Sequence, residues 1–211
     1  VIGACQPDIH YMVNLAPKLK EIKRMIDNGY YFTINKARQY GKTTTLRALS
    51  KYLRNDYTVA SLDFQQLSTS DLESESAFVH AMARELTRRV QFLDDIPDDT
   101  RHLLLQLSSR NPYRARLADI FDCFRGWCDH SPRPVVLIID EVDTAADNQV
   151  FLDFLAQLRA AYLDRDITPA FQSVFLASVY DIRNIQRKRR PDEQHKANSP
   201  WNIAARFRVD M

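Results

Sequence analysis

The chain has 211 residues, 45% of them hydrophobic and 27% charged, and a formal net charge of +2. That composition is ordinary for a soluble globular protein long enough to bury a core, as one large domain or two small ones, and its charge argues neither for nor against an anionic partner. Three cysteines, Cys5, Cys123 and Cys128, are too few and too unevenly placed for a disulfide framework. Cys123 and Cys128 lack metal-ligand spacing, so all three are expected to be free thiols. No apolar run approaches the ~20 residues of a membrane span, and no signal peptide is visible. A cytoplasmic location is the expectation.

In chain order, "APKLKEIKRMIDNG" (16–29) reads as a helix. Pro17 sits near its start, Leu19, Ile22, Met25 and Ile26 recur at helical spacing, and Gly29 follows as a C-cap. "YYFTIN" (30–35) is aromatic and β-branched, a strand. "TTTLRALSKYLRND" returns to helical period, with Leu46, Leu49 and Leu53 on one face, and "YTVASLDF" (57–64) is a second strand. A long helical region follows: "ESAFVHAMARELTRRVQFL", then "DDIPDDT" as an acidic linker, then "YRARLADIFDCFRGWCDH" as an amphipathic helix. "PVVLIIDEVD" is an unbroken apolar run ending in acids, the signature of a central parallel strand. "NQVFLDFLAQLRAAYLDR" reads as a helix, and "FQSVFLASVYD" and "IAARFRVDM" as the last two strands. The alternation predicts an α/β fold with a mostly parallel sheet and right-handed crossovers, whose ligand site lies at the carboxyl ends of the strands.

Between the first strand and the second helix stands "NKARQYGKTTT" (35–45). It fits the second half of the phosphate-binding pattern G-x-x-x-x-G-K-[ST] but has Lys36 where the leading glycine belongs. The strand–loop–helix context is the one a phosphate loop requires. The leading glycine eases the turn out of the strand, whereas the later residues make the ligand contacts, so its loss is the more tolerable one. The candidate cradle comprises Ala37, Arg38, Gln39, Tyr40, Gly41, Lys42, Thr43 and Thr44. Backbone N–H groups would curl around the β-phosphate at the positive end of the helix. Gly41 would admit the close approach, Lys42 would reach the β- and γ-phosphates, and the Thr43 hydroxyl would bind Mg²⁺.

In "VVLIIDEVD", Asp140 is placed to hold Mg²⁺ through water, and Glu141 stands where the general base for a hydrolytic water would sit. The alternative is that both merely cap a buried strand. Ser178, at the end of "VFLAS" with Tyr180 and Asp181 behind it, is the candidate γ-phosphate sensor, with packing as the alternative. Arg183, Arg187, Lys188, Arg189 and Arg190 precede a turn. They read as a nucleic-acid contact, as an arginine finger offered to a neighbour, or as a solvated loop. His10, Tyr11 and Met12 read either as an adenine contact or as part of a small hydrophobic cluster.

"ARQYGKTTTL", "LIIDEVD", "DFLAQLRAAYLDR" and "SPWNIAARF", in that order, resemble the bacterial AAA-like ATPase domains, relatives of the STAND and origin-recognition ATPases. In that family an Arg-Gln pair, here Arg38 and Gln39, stands where a glycine-rich loop is otherwise expected, so Lys36 resembles a family variation. The resemblance implies a P-loop three-layer sandwich over residues 1–211, with a five-stranded, mostly parallel sheet in the order 5-1-4-3-2. It further implies a helical insertion between strands 2 and 3, and ATP and Mg²⁺ as cofactors. Relatives continue into a helical lid with a second sensor, whereas this sequence stops at the fifth strand. Two functions are expected in turn: an ATPase switch that drives homo-oligomerisation or moves a C-terminal effector domain, or a nucleotide-dependent module that binds DNA or protein with little hydrolysis. Arg165, Arg183 and Arg206 are candidates for a role in trans.

Overall fold

A computed structural model describes residues 15–35, 42–91, 93, 95–109, 115–178 and 205–207, with backbone alone at 35, 42, 43 and 205–207. In chain order the elements are α1 (Ala16–Asp27), β1 (Phe32–Asn35), α2 (Lys42–Leu53), β2 (Thr58–Asp63), α3 (Glu75–Val90), α4 (Asp98–Leu107), α5 (Leu117–His130), β3 (Val135–Asp140), α6 (Gln149–Leu163), β4 (Ser173–Ser178) and β5 (Ala205–Phe207). The strands form one sheet in the order β5-β1-β4-β3-β2, and every pairing in it is parallel. This is the expected order, with α3, α4 and α5 as the expected helical insertion between β2 and β3.

Alternate residues of each strand face opposite layers. Phe32, Ile34, Val136, Ile138, Phe175 and Ala177 pack under α1 and α2, against Ile22, Ile26, Leu46, Leu49 and Leu53. Leu62, Leu137, Ile139, Val174 and Leu176 face the other way, toward Phe78, Met82, Phe124, Trp127, Phe154 and Leu158 of α3, α5 and α6. β3 and β4 are buried on both faces, which is why "VVLII" and "SVFLA" read as continuous apolar runs.

Local chemistry sets the helix ends. α1 stops in a Schellman motif: the Gly29 N–H donates to the Ile26 carbonyl at 2.9 Å and the Tyr30 N–H to that of Met25 at 3.1 Å. Gly29 takes φ +67° there, as its predicted C-cap role requires. At the start of α6 the Asn148 side chain accepts the N–H groups of Val150 and Phe151 at 2.9 and 3.3 Å. Where α1 ends beside β2, Asp27 Oδ1 accepts the Tyr57 hydroxyl at 2.5 Å and the Lys23 ammonium at 2.8 Å.

The predicted linker "DDIPDDT" is a correction. Its second half, Asp98 to Thr100, is the first turn of α4. Pro97 caps that turn and the acids sit at its positive N-terminal end, a pattern that signals a helix start. Thr100 and Leu104, one turn apart, are the buried residues of this helix.

Candidate functional site

The carboxyl edge of the sheet gathers the ends of four strands. Asn35, the last residue of β1, lies opposite Ser178, the last of β4, and Asp63, the last of β2, lies opposite Asp140, the last of β3. The first turn of α2 begins here with Lys42 and Thr43. Strand alternation orders the faces. Asp140 continues the Val136, Ile138 series, which packs under α1 and α2, so it belongs to the face that carries α2. Asp63 lies opposite the Ala60, Leu62 series that packs on the other layer, and so shares the face of Asp140. Two carboxylates therefore stand side by side at the edge, on the side where α2 starts.

Asp140 is half-buried, and its Oδ1 accepts the backbone N–H of Glu141 at 2.8 Å. Glu141 adopts φ 54°, ψ 37°, the left-handed conformation, and is the one non-glycine residue at positive φ among those described. That geometry costs an L-residue about 1–2 kcal/mol and persists where the surroundings over-determine it. Here the Glu141 carbonyl accepts both the backbone N–H of Thr144 at 3.2 Å and its hydroxyl at 2.9 Å. The same hydroxyl lies 3.3 Å from the carbonyl of Phe64, the residue after β2. The chain thus leaves β3 through a pinned, strained turn that sends Glu141 away from the strand direction.

The sequence pointed to Lys42, Thr43, Thr44, Asp140, Glu141 and Ser178, and the structure brings all six to this edge. Thr44 is half-buried and Thr45 buried. Ala37, Arg38, Gln39, Tyr40 and Gly41 lie outside the described residues, as do His10, Tyr11, Met12, Tyr180, Asp181 and the basic residues from Arg183 to Arg190. Ser178 is completely buried. It continues the Val174, Leu176 series, so its side chain belongs to the layer opposite Asp140. Asp63 and Thr144 were not singled out from the sequence. Asp63 had a legible signal, an acid closing an apolar strand as Asp140 does; Thr144 had none.

Arg165, a candidate for a role in trans, is committed within its own chain. Its guanidinium donates to the Gly29 carbonyl at 2.6 Å and lies 4.3 Å from the Tyr162 ring centroid. Cys123 is buried and Cys128 half-buried, both as free thiols, and burial pushes each thiol up to about 12.

Asp63 and Asp140 give this edge hard oxygen donors, the kind that Mg²⁺ takes. Thr43 and Asp140 would offer hard oxygen ligands, and no cluster of three or more His, Cys, Asp or Glu able to hold a metal exists among the described residues. A cation held by one or two protein oxygens, with the rest from water and phosphates, is the arrangement Mg²⁺ prefers. No described helix is long and apolar enough to cross a membrane.

A family model for an AAA-like domain matches residues 8–203. Among curated proteins, none matches the chain. Solved structures share the fold at low identity. The Walker-type ATPase PABY2304 of Pyrococcus abyssi superposes with a TM-score of 0.62 at 14% identity, over 94% of this chain and 53% of that one. The Aeropyrum pernix ORC2 protein, in ADPNP–ADP complexes, gives 0.57 at 11% identity, over 93% and 48%. The Aeropyrum pernix ORC1 protein, solved in complex with DNA, gives 0.53 at 8% identity, over 95% and 46%. The chain thus spans about half the length of these neighbours.

Proposed function

The chain belongs to the AAA-like domain family, and from that premise we propose that it binds ATP with Mg²⁺ at the carboxyl edge of its sheet and hydrolyses it as a molecular switch. The observation that carries this reading is the shared face of Asp140 and α2. An acid ending β3, a strand buried on both faces, and a helix whose sequence opens with Lys-Thr lie on one side of the sheet.

The chain's own residues divide the work. Backbone N–H groups from Ala37 to Thr44, at the positive end of α2, hold the phosphates. Lys42 places a point charge on the β- and γ-phosphates, where charge builds up during transfer. Thr43 and Asp140 would hold the cation. Mg²⁺, when bound, neutralises phosphate charge and orients the γ-phosphoryl group. Glu141, swung out by its left-handed backbone, orients and deprotonates the attacking water. The switch acts on a second copy of the chain or on an attached effector domain. A nucleic-acid contact through Arg183 to Arg190 is the secondary reading, favoured by the DNA complex of the Aeropyrum pernix ORC1 neighbour.

Calorimetric titration of the chain and of Lys42→Ala with Mg-ATP tests the proposal. Micromolar binding that disappears in the variant supports it, and equal heats from both sink it.

A further inference from the structure

The strained backbone at Glu141 raises the question of what holds it. Among the described residues, three groups bond its backbone: Asp140 Oδ1 on its N–H, the Thr144 N–H on its carbonyl and the Thr144 hydroxyl on the same carbonyl. The Thr144 N–H comes with any residue but proline at position 144, and Asp140 Oδ1 does not depend on that position. The hydroxyl does. It lies between two carbonyls, at 2.9 Å from that of Glu141 and 3.3 Å from that of Phe64. Its one proton is shared between the two acceptors, more strongly with the nearer. Phe64 directly follows Asp63, which lies beside Asp140 in the sheet. The hydroxyl therefore ties the turn that carries the acid to the end of the neighbouring strand.

We propose that Thr144 is a positioning residue for Glu141: its hydroxyl holds the left-handed turn in register with the end of β2, and so sets where the Glu141 carboxylate stands relative to the γ-phosphate. The inference rests on the ATPase reading of the site. It does not make Thr144 a ligand contact. Thr144 is exposed and outside the hydrophobic core, so replacing its hydroxyl leaves the packing untouched.

The test is Thr144→Val, which keeps the shape and removes the hydroxyl, beside Thr144→Ser, which restores it. In Thr144→Val, kcat for ATP is expected to fall on the order of ten- to a hundredfold, the size of effect that a misplacement of about 1 Å produces. Mg-ATP affinity stays at the wild-type value, and Thr144→Ser recovers most of kcat. Amide exchange by NMR gives a second readout that needs no turnover. The Glu141 N–H, held by Asp140, is expected to exchange faster in Thr144→Val and at the wild-type rate in Thr144→Ser. Wild-type kcat and wild-type exchange in Thr144→Val overturn the proposal. So does an equal loss of kcat and ATP affinity, which marks a general structural role. A wild-type protein that never hydrolyses ATP sinks the ATPase reading, while the exchange experiment still decides whether Thr144 holds Glu141.

Discussion

Arg165 Nη1 donates to the carbonyl of Gly29 at 2.6 Å, joining residues 136 apart in sequence. Gly29 leads into β1 and Arg165 follows α6, so the bond fastens the amino edge of the sheet, opposite the edge that carries Asp140. A Cβ added at Gly29, already at positive φ, would stand 3.1 Å from the same Nη1. Arg165→Ala is expected to lower unfolding stability by about 1–2 kcal/mol, from one charged hydrogen bond and a cation–π contact, read as a shift of the urea midpoint. ATP turnover per chain is expected to be unchanged at any protein concentration. A turnover loss that grows with concentration would instead give Arg165 a role in a neighbour's site.

The left-handed backbone at Glu141 separates two substitutions. Glu141→Gln keeps the shape and removes the base, so Mg-ATP affinity is expected within a few-fold of wild type while hydrolysis falls at least a hundredfold, the usual scale for a lost general base. Glu141→Gly also loses hydrolysis, but glycine adopts positive φ without strain. Its melting temperature is expected at or above that of Glu141→Gln. The reverse order in a thermal melt would mean that no strain resides in the turn.

Alkaline pH is expected to unfold the protein earlier than carboxylate chemistry alone predicts. Burial and the bond to Asp27 raise Tyr57 from 10.0 to about 12, and burial raises Cys123 and Cys128 from 9.0 to about 12. In each case the unfolded chain ionises first, so unfolding releases protons and stability falls as pH rises from about 9 to about 12. Asp27 has the opposite sense. Burial lifts its pKa, but the hydrogen bonds from Lys23 and Tyr57 together outweigh that and leave it below 3.8. Its contribution is intact above that value and disappears only as pH falls through the lower folded pKa. Urea midpoints at pH 7, 9 and 10.5 check the alkaline arm, with Tyr57→Phe expected to flatten it. A midpoint that does not move between pH 9 and 10.5 contradicts it. Iodoacetamide should label Cys123 only in urea.

Phe154 is fully buried and its ring packs against those of Phe78, Phe121 and Phe151 at centroid distances of 5.7, 5.5 and 6.4 Å. These contacts join α6 to α3 and α5 beneath the sheet. Phe154→Ala is expected to cost about 3–5 kcal/mol in a denaturant titration. Phe154→Leu, which refills most of the volume, should cost clearly less. Equal losses would mean that ring geometry, and not filled space, is what counts there.

Several features of this protein follow from local chemistry and are legible in the sequence alone. The unbroken run Val135 to Ile139 had to be a strand buried on both faces, because neither face offers water a polar side chain. Pro17 and Gly29 bracket α1 because each fits a backbone position that few other residues do. The acids Asp140 and Glu141 declared themselves by closing the apolar strand, and Lys42 and Thr43 by opening a helix after another strand. Even α4, whose first turn was read as part of a linker, had a legible start at Pro97, Asp98 and Asp99; its short, half-exposed apolar face weakened the helical period. The strand order came from the family resemblance, since nothing in the local pattern of β1 calls for β4, some 140 residues away, as its neighbour. Tertiary structure decided the rest. It determined that Asp63 and Asp140 share a face while Ser178 lies on the other, that Arg165 is bound to Gly29, and that the turn at Glu141 is left-handed. Each depends on register or on contacts between distant segments, and a residue's type specifies what it can bond to without specifying what will be brought within reach.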